Sequence, residues 1–156
     1  MFRFLLSPNG RVSRGGIWVF TGAMFAAMVA SMAIDHVLGT GGFGEDSGLV
    51  EMIVSLLLFW PSIAVSIKRF HDRNMTGWWY LILIILMIAA GLAGVFIGVA
   101  MGAELGDIET MSNAELLVAV WPAFVGMGLV GLYWFVVQMV LPGTRGDNKY
   151  GPDPLV

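Results

Sequence analysis

The chain has 156 residues, of which 58% are hydrophobic and 12% charged, and its mean hydropathy is +0.83. One water-soluble core cannot hide so much apolar surface, so the composition points to lipid as the solvent. The lack of cysteine excludes disulfides, thiolate-bound metals, iron–sulfur clusters and a cysteine nucleophile, and the formal charge of -3 conceals a strong asymmetry along the sequence.

The chain opens with a basic tail over residues 1–16 that carries Arg3, Arg11 and Arg14. Phe2, Phe4, Leu5 and Leu6 can dip into an interface before the turn signal Ser7-Pro8-Asn9-Gly10. The first apolar span is expected over 17–38. It is too long for the core of a cleaved signal peptide, so it is read as an uncleaved anchor. Gly22, Ala26 and Ala30 recur along it at intervals of four, and Asp35 and His36 mark the end where water returns. A glycine-rich, acidic connection leads to the second span, 49–67, which contains Pro61 together with Ser55, Ser62 and Ser66.

A basic stretch, Lys68 to Trp79, precedes the third span, 78–101. Gly94, Gly98 and Gly102 form a stripe on that span that lets another helix approach closely, and a seam inside the protein is preferred to one with a partner. An acidic connection ends in Ser112 and Glu115, the spacing of a capping box, ahead of the fourth span, 116–141. That span holds Pro122, Gln138 and a glycine set at 126, 128 and 131; the two prolines are expected to kink their helices. The tail 142–156 closes the chain. Each span is long enough to cross about 30 Å of hydrocarbon. The expected fold is therefore all-α: a single membrane domain, a four-helix bundle.

All eight lysines and arginines fall in the first tail, the second connection and the last tail, while eight of the eleven acids fall in the other two connections or at the span ends beside them. Cationic segments resist translocation, so both termini are expected in the cytoplasm, with tryptophans 78 and 79 at that interface. The spans carry no ionisable residue between their ends, which disfavours a pump, proton relay or voltage sensor. His71 beside Asp72 is a poor metal set and lacks a nucleophile-elbow pattern, so no catalysis, metal or cofactor is expected. Nucleic-acid binding is not expected either, because topology already accounts for the basic residues.

Three stretches carry more specific residues than topology requires: Gly10-Arg11 with Arg14; Arg69, His71 and Asp72 ahead of Gly77-Trp78-Trp79; and Asn148 with Tyr150-Gly151-Pro152-Asp153-Pro154. In these residues, taken in order, the chain resembles the YhaH-like bacterial inner-membrane proteins of domain-of-unknown-function family 805 (DUF805). The resemblance covers nearly the whole chain and implies an inner-membrane location, but no activity. The residues themselves suggest a clamp in which Arg11 or Arg14 pairs with Asp72 or Asp153, with His71 and Tyr150 hydrogen-bonded at the rim. Arg11, Arg14, Lys68, Arg69 and Arg73 are expected at the headgroup level of an anionic leaflet, each attracting lipid phosphates by about 1 kcal/mol. The expected role is a non-catalytic accessory or scaffold subunit that contacts lipid headgroups or a larger membrane-protein complex. The alternative is a small homo-oligomeric transporter or channel with a path through Ser62, Ser66 and Gln138.

Overall fold

The computed structural model describes residues 5–41, 48–101 and 112–155. Four long helices account for most of them: α1 (Arg14–Leu38), α2 (Leu49–Asp72), α3 (Trp78–Ala100) and α4 (Asn113–Phe135), the last running on into a π-helical turn, Val136–Val140. There is no β-strand among the described residues. All four helices are long and apolar enough to cross a membrane. Their outward side chains suit lipid rather than water: Phe25 and Phe96 are 72% and 80% exposed.

The helix ends follow local chemistry. α1 begins three residues before Ile17 because Ser13 caps it, its Oγ accepting from the Gly16 amide at 3.2 Å. It ends on Gly39, whose φ of 66° is the left-handed conformation that glycine reaches without strain. α4 begins with the capping box: Glu115 N donates to Ser112 Oγ at 3.3 Å, and Ser112 N donates to the Glu115 carboxylate at 2.8 Å. α2 runs past Ile67 and takes in Lys68, Arg69, Phe70, His71 and Asp72, all of them buried. The expected loop is thus a further helical turn, stabilised because its charged side chains find partners.

The chain divides into two compact units, Met1–Gly77 with Gln138–Val156, and Trp78–Val137. In the first, α1 packs on α2 around a small core of Val12, Ile17 and Val65, with Phe20 and Met139 against it. At one end of this pair the Asp35 side chain, fully buried in the last turn of α1, accepts from the amides of Val50 at 3.0 Å and Glu51 at 2.7 Å. Asp35 therefore caps α2 from the preceding helix. Gly48, the residue in the N-cap position, makes no side-chain cap, and a Cβ there would strike the Asp35 carboxyl. Asp35 is thus more than a marker of returning water.

In the second unit α3 packs on α4. Gly94 and Gly98 are buried, and a Cβ on either would strike the backbone of Ala123 or Ala119. These two glycines thus form a seam within the chain; Gly102 lies outside the described residues. Gly126 also faces α3, its Cβ position 3.2 Å from the Ala90 carbonyl, whereas Gly22, Gly128 and Gly131 have nothing within 4 Å.

Candidate functional site

The last turn of α2 gathers most of the polar side chains singled out above. One helical turn brings Arg69 beside Asp72, and Arg69 Nη1 donates to Asp72 Oδ2. Arg11 arrives from the N-terminal segment, which runs along α2: Leu6 O accepts from Trp60 Nε1 at 2.7 Å, and Val12 N donates to Lys68 O at 3.4 Å. Gly10, at a φ of 96°, makes the bend that delivers it. Arg11 Nε then donates to Asp72 Oδ1 at 3.1 Å. Of the pairings open to the sequence, the structure forms Arg11 with Asp72.

The C-terminal tail closes over this pair. Arg11 Nη1 donates to the carbonyls of Gly146 at 2.6 Å and Gly151 at 3.3 Å, and Nη2 donates to Thr144 O at 2.6 Å and Oγ1 at 3.3 Å. With Nε this makes five bonds from a group that has five N–H donors. The Asp72 carbonyl accepts from both Thr144 N and Oγ1 at 2.8 Å. Gly143 is required here, since a Cβ would collide with the Asp72 carboxylate. Side-chain exposure is 1% for Arg11, 0% for Arg69 and 4% for Asp72, so water does not screen the triad; contrary to expectation, these two arginines and the buried Lys68 are not at the surface to meet headgroups.

The carbonyls at the end of the fourth span complete the arrangement. A helix end leaves its last carbonyls without intrahelical donors. Here Gln138 O accepts from Arg69 Nε at 2.8 Å, Met139 O from Trp18 Nε1 at 3.2 Å, Val140 O from Arg14 Nη1 at 3.2 Å and Leu141 O from Arg69 Nη2. Arg14 is thus a helix cap, and the π-helical turn belongs to the site.

His71 and Tyr150 meet by stacking rather than by hydrogen bonding, with ring centroids 3.9 Å apart and planes 4° apart. His71 Nδ1 lies 3.3 Å from the Gly10 carbonyl, which only accepts, so Nδ1 carries the proton there. Asn148 Nδ2 donates to His71 O and to Thr144 Oγ1, both at 2.9 Å, and its Oδ1 accepts from Tyr150 N. Asn148 and Gly151 exchange backbone hydrogen bonds. Asp153 stays within the tail, accepting from the amides of Gly146 at 2.8 Å and Leu155 at 3.0 Å. The Leu155 and Gly146 amides hold its carboxyl below the ordinary aspartate value.

Trp78 and Trp79 make none of these bonds among the described residues. They open α3 in the second unit and are exposed. The turn before them is built tightly: Asn74 sits at a φ of 59°, and a Cβ on Gly77 would press on Ile67 Cγ2 at 2.8 Å. Chemically, both oxygens of Asp72 are taken by arginines, so His71 and Asp72 do not form a proton-relay dyad. The site fastens chain segments together. Gly143, Thr144 and the terminal carbonyls were not among the expected site residues. Backbone acceptors have no signature in a sequence, and only the polar composition of the tail hinted at them.

Four apolar helices and a tail clamped beneath the first pair define a multi-pass membrane protein. The chain belongs to the DUF805 family, whose model, described as a protein of unknown function, matches residues 5–152. It is similar to the uncharacterized protein YiiR of Escherichia coli K12, with 33% identity over 97% of this chain and 88% of that protein. It is also similar to the inner membrane protein YhaH of the same organism, with 23% identity over 94% of this chain and 85% of that one. No solved structure matches.

Proposed function

We propose that the chain is a non-catalytic inner-membrane protein with both termini in the cytoplasm, serving as an accessory or scaffold subunit. The observation that carries this reading is the spending of Arg11, Arg69 and Asp72 on one internal clamp, which turns two tails into a rigid cap. A cap of this kind presents a fixed surface to a neighbour, and its three buried charged side chains are occupied in holding the tails. Arg14, Arg145 and Lys149 remain exposed on it, where the headgroups of an anionic leaflet attract them. The terminal orientation rests on the one-sided distribution of lysine and arginine.

Reporter fusions at residue 73 and at the C-terminus test the orientation, and both should report cytoplasm. Native mass spectrometry after mild detergent extraction tests the role, with a stoichiometric larger membrane protein as the expected companion. A periplasmic report at residue 73 overturns the orientation; recovery of the chain alone overturns the accessory role. One observation favours the alternative of a small homo-oligomeric transporter or channel: Gln138 is 3% exposed and its Oε1 has no partner. A symmetric oligomer whose flux is lost on Gln138→Leu would establish that reading instead.

A further inference from the structure

We propose that the cleft between the start of α1 and the C-terminal tail binds a phosphate oxyanion; this deepens the reading of this end of the protein as its headgroup-facing side. The cleft encloses about 310 Å3, and Ser13, Arg14, Arg145, Asp72, Asp153 and Leu155 are among its lining residues.

Donor accounting separates these arginines from those of the clamp. Arg11 and Arg69 have every guanidinium nitrogen engaged inside the fold. Among the described residues Arg14 uses Nη1 alone, toward the Val140 carbonyl, which leaves Nε and Nη2 to an incoming group. Arg145 is exposed and makes no hydrogen bond or ion pair among the described residues. Both cations are thus supplied with donors and short of acceptors.

The acids on the wall are engaged elsewhere. Both oxygens of Asp72 are held by the clamp arginines, and those of Asp153 each accept one amide, from Gly146 and Leu155. Neither acid pairs with Arg14 or Arg145 among the described residues, so these two cations keep donors for a group from outside. Two guanidiniums on separate walls suit a phosphate, whose several oxygens can take forked donors from more than one side. The volume exceeds that of the oxyanion alone, and Leu155, 81% exposed at the rim, offers apolar surface to whatever bears it. A lipid phosphodiester and a soluble phosphate ester share this chemistry.

The full chain in a non-ionic detergent at low salt, titrated with dioctanoyl phosphatidylglycerol and separately with glycerol 1-phosphate, distinguishes the sources. Binding is read by native mass spectrometry and by thermal protection. Saturable binding of the lipid alone assigns a headgroup; binding of both probes alike assigns a soluble ester. Arg145→Gln should weaken the bound probe by about tenfold, as the loss of one charge-assisted contact predicts. Adding Arg14→Gln should abolish binding, while Arg73→Gln, outside the cleft, should change it by less than about twofold. Because Arg145 is exposed and bonds to none of the described residues, its variant keeps the test valid if Arg14→Gln fails to fold. No saturable binding of either probe, or equal weakening by Arg73→Gln, overturns the site. Neither outcome alters the topology reporters, which judge the orientation independently.

Discussion

Arg11 Nε lies 3.1 Å from Asp72 Oδ1, and this bond ties the N-terminal segment to the last turn of α2 through a buried charge, beneath the C-terminal tail. Since Arg69 holds the other Asp72 oxygen, one carboxylate offsets two buried guanidiniums. Removing it strands both. Asp72→Ala should therefore lower stability by about 3–5 kcal/mol, the range for breaking a buried ion pair from one side. Thermal or denaturant unfolding in detergent measures this, and an unchanged midpoint would show that the clamp contributes nothing.

Arg11→Lys tests geometry at constant charge. An ammonium can pair with Asp72, but it lacks the planar fork that reaches Thr144, Gly146 and Gly151 together. The expected outcome is a folded helix pair with a loosened tail, seen as faster proteolysis after residue 142 while the spans stay protected.

Asp35 and Gly48 form a second, independent joint. Asp35→Ala removes a tertiary cap from two α2 amides and should cost about 1–2 kcal/mol, whereas Asp35→Asn keeps one acceptor and should cost less. Gly48→Ala should reproduce the loss by forcing the carboxyl away. Unfolding midpoints of the three variants rank the effects.

The α3–α4 seam predicts a contrast between glycines. Gly94→Val and Gly98→Val should destabilise strongly, because each side chain would enter the facing backbone, while Gly128→Ala should be close to neutral. Comparable losses at all three positions would rule out the seam.

Asp153 supplies a pH dependence. Its folded carboxyl is held below the ordinary value by the Leu155 and Gly146 amides. The order it lends the tail is therefore complete above the ordinary aspartate value of about 3.9, and it is lost as pH falls through the lowered one. Tail proteolysis by an acid-stable protease should rise below about pH 4 in the native chain. In Asp153→Asn the acid-induced increase should be much smaller.

The helices were legible because apolar length needs no partner to be read, and Ser112 with Glu115 announced the start of α4 through a purely local pairing. The clamp was half legible: charge limited it to Arg11 or Arg14 with Asp72 or Asp153, but only the path of the N-terminal segment past Lys68 chooses among them. Asp35 was read as a boundary because its partners are amides of the next helix. Trp18, Arg14 and Arg69 show the same blindness at the end of the fourth span, where they meet carbonyls that every residue possesses.

In the turn at Val136–Val140 each ring closes one residue wider than in an α-helix, so the span carries one residue more than a regular screw would. Excising one residue there would close the ring to α-helical width and leave the chain on either side close to its present place. Excising one from the regular part of α4 offers no surplus to take up, and would turn everything beyond it by roughly 100° and draw it back by about 1.5 Å. That turn would swing the oxygens of Gln138 and Leu141 off the Arg69 fork. The wide turn is therefore slack in the span, and a single deletion within it should be milder than one two turns earlier.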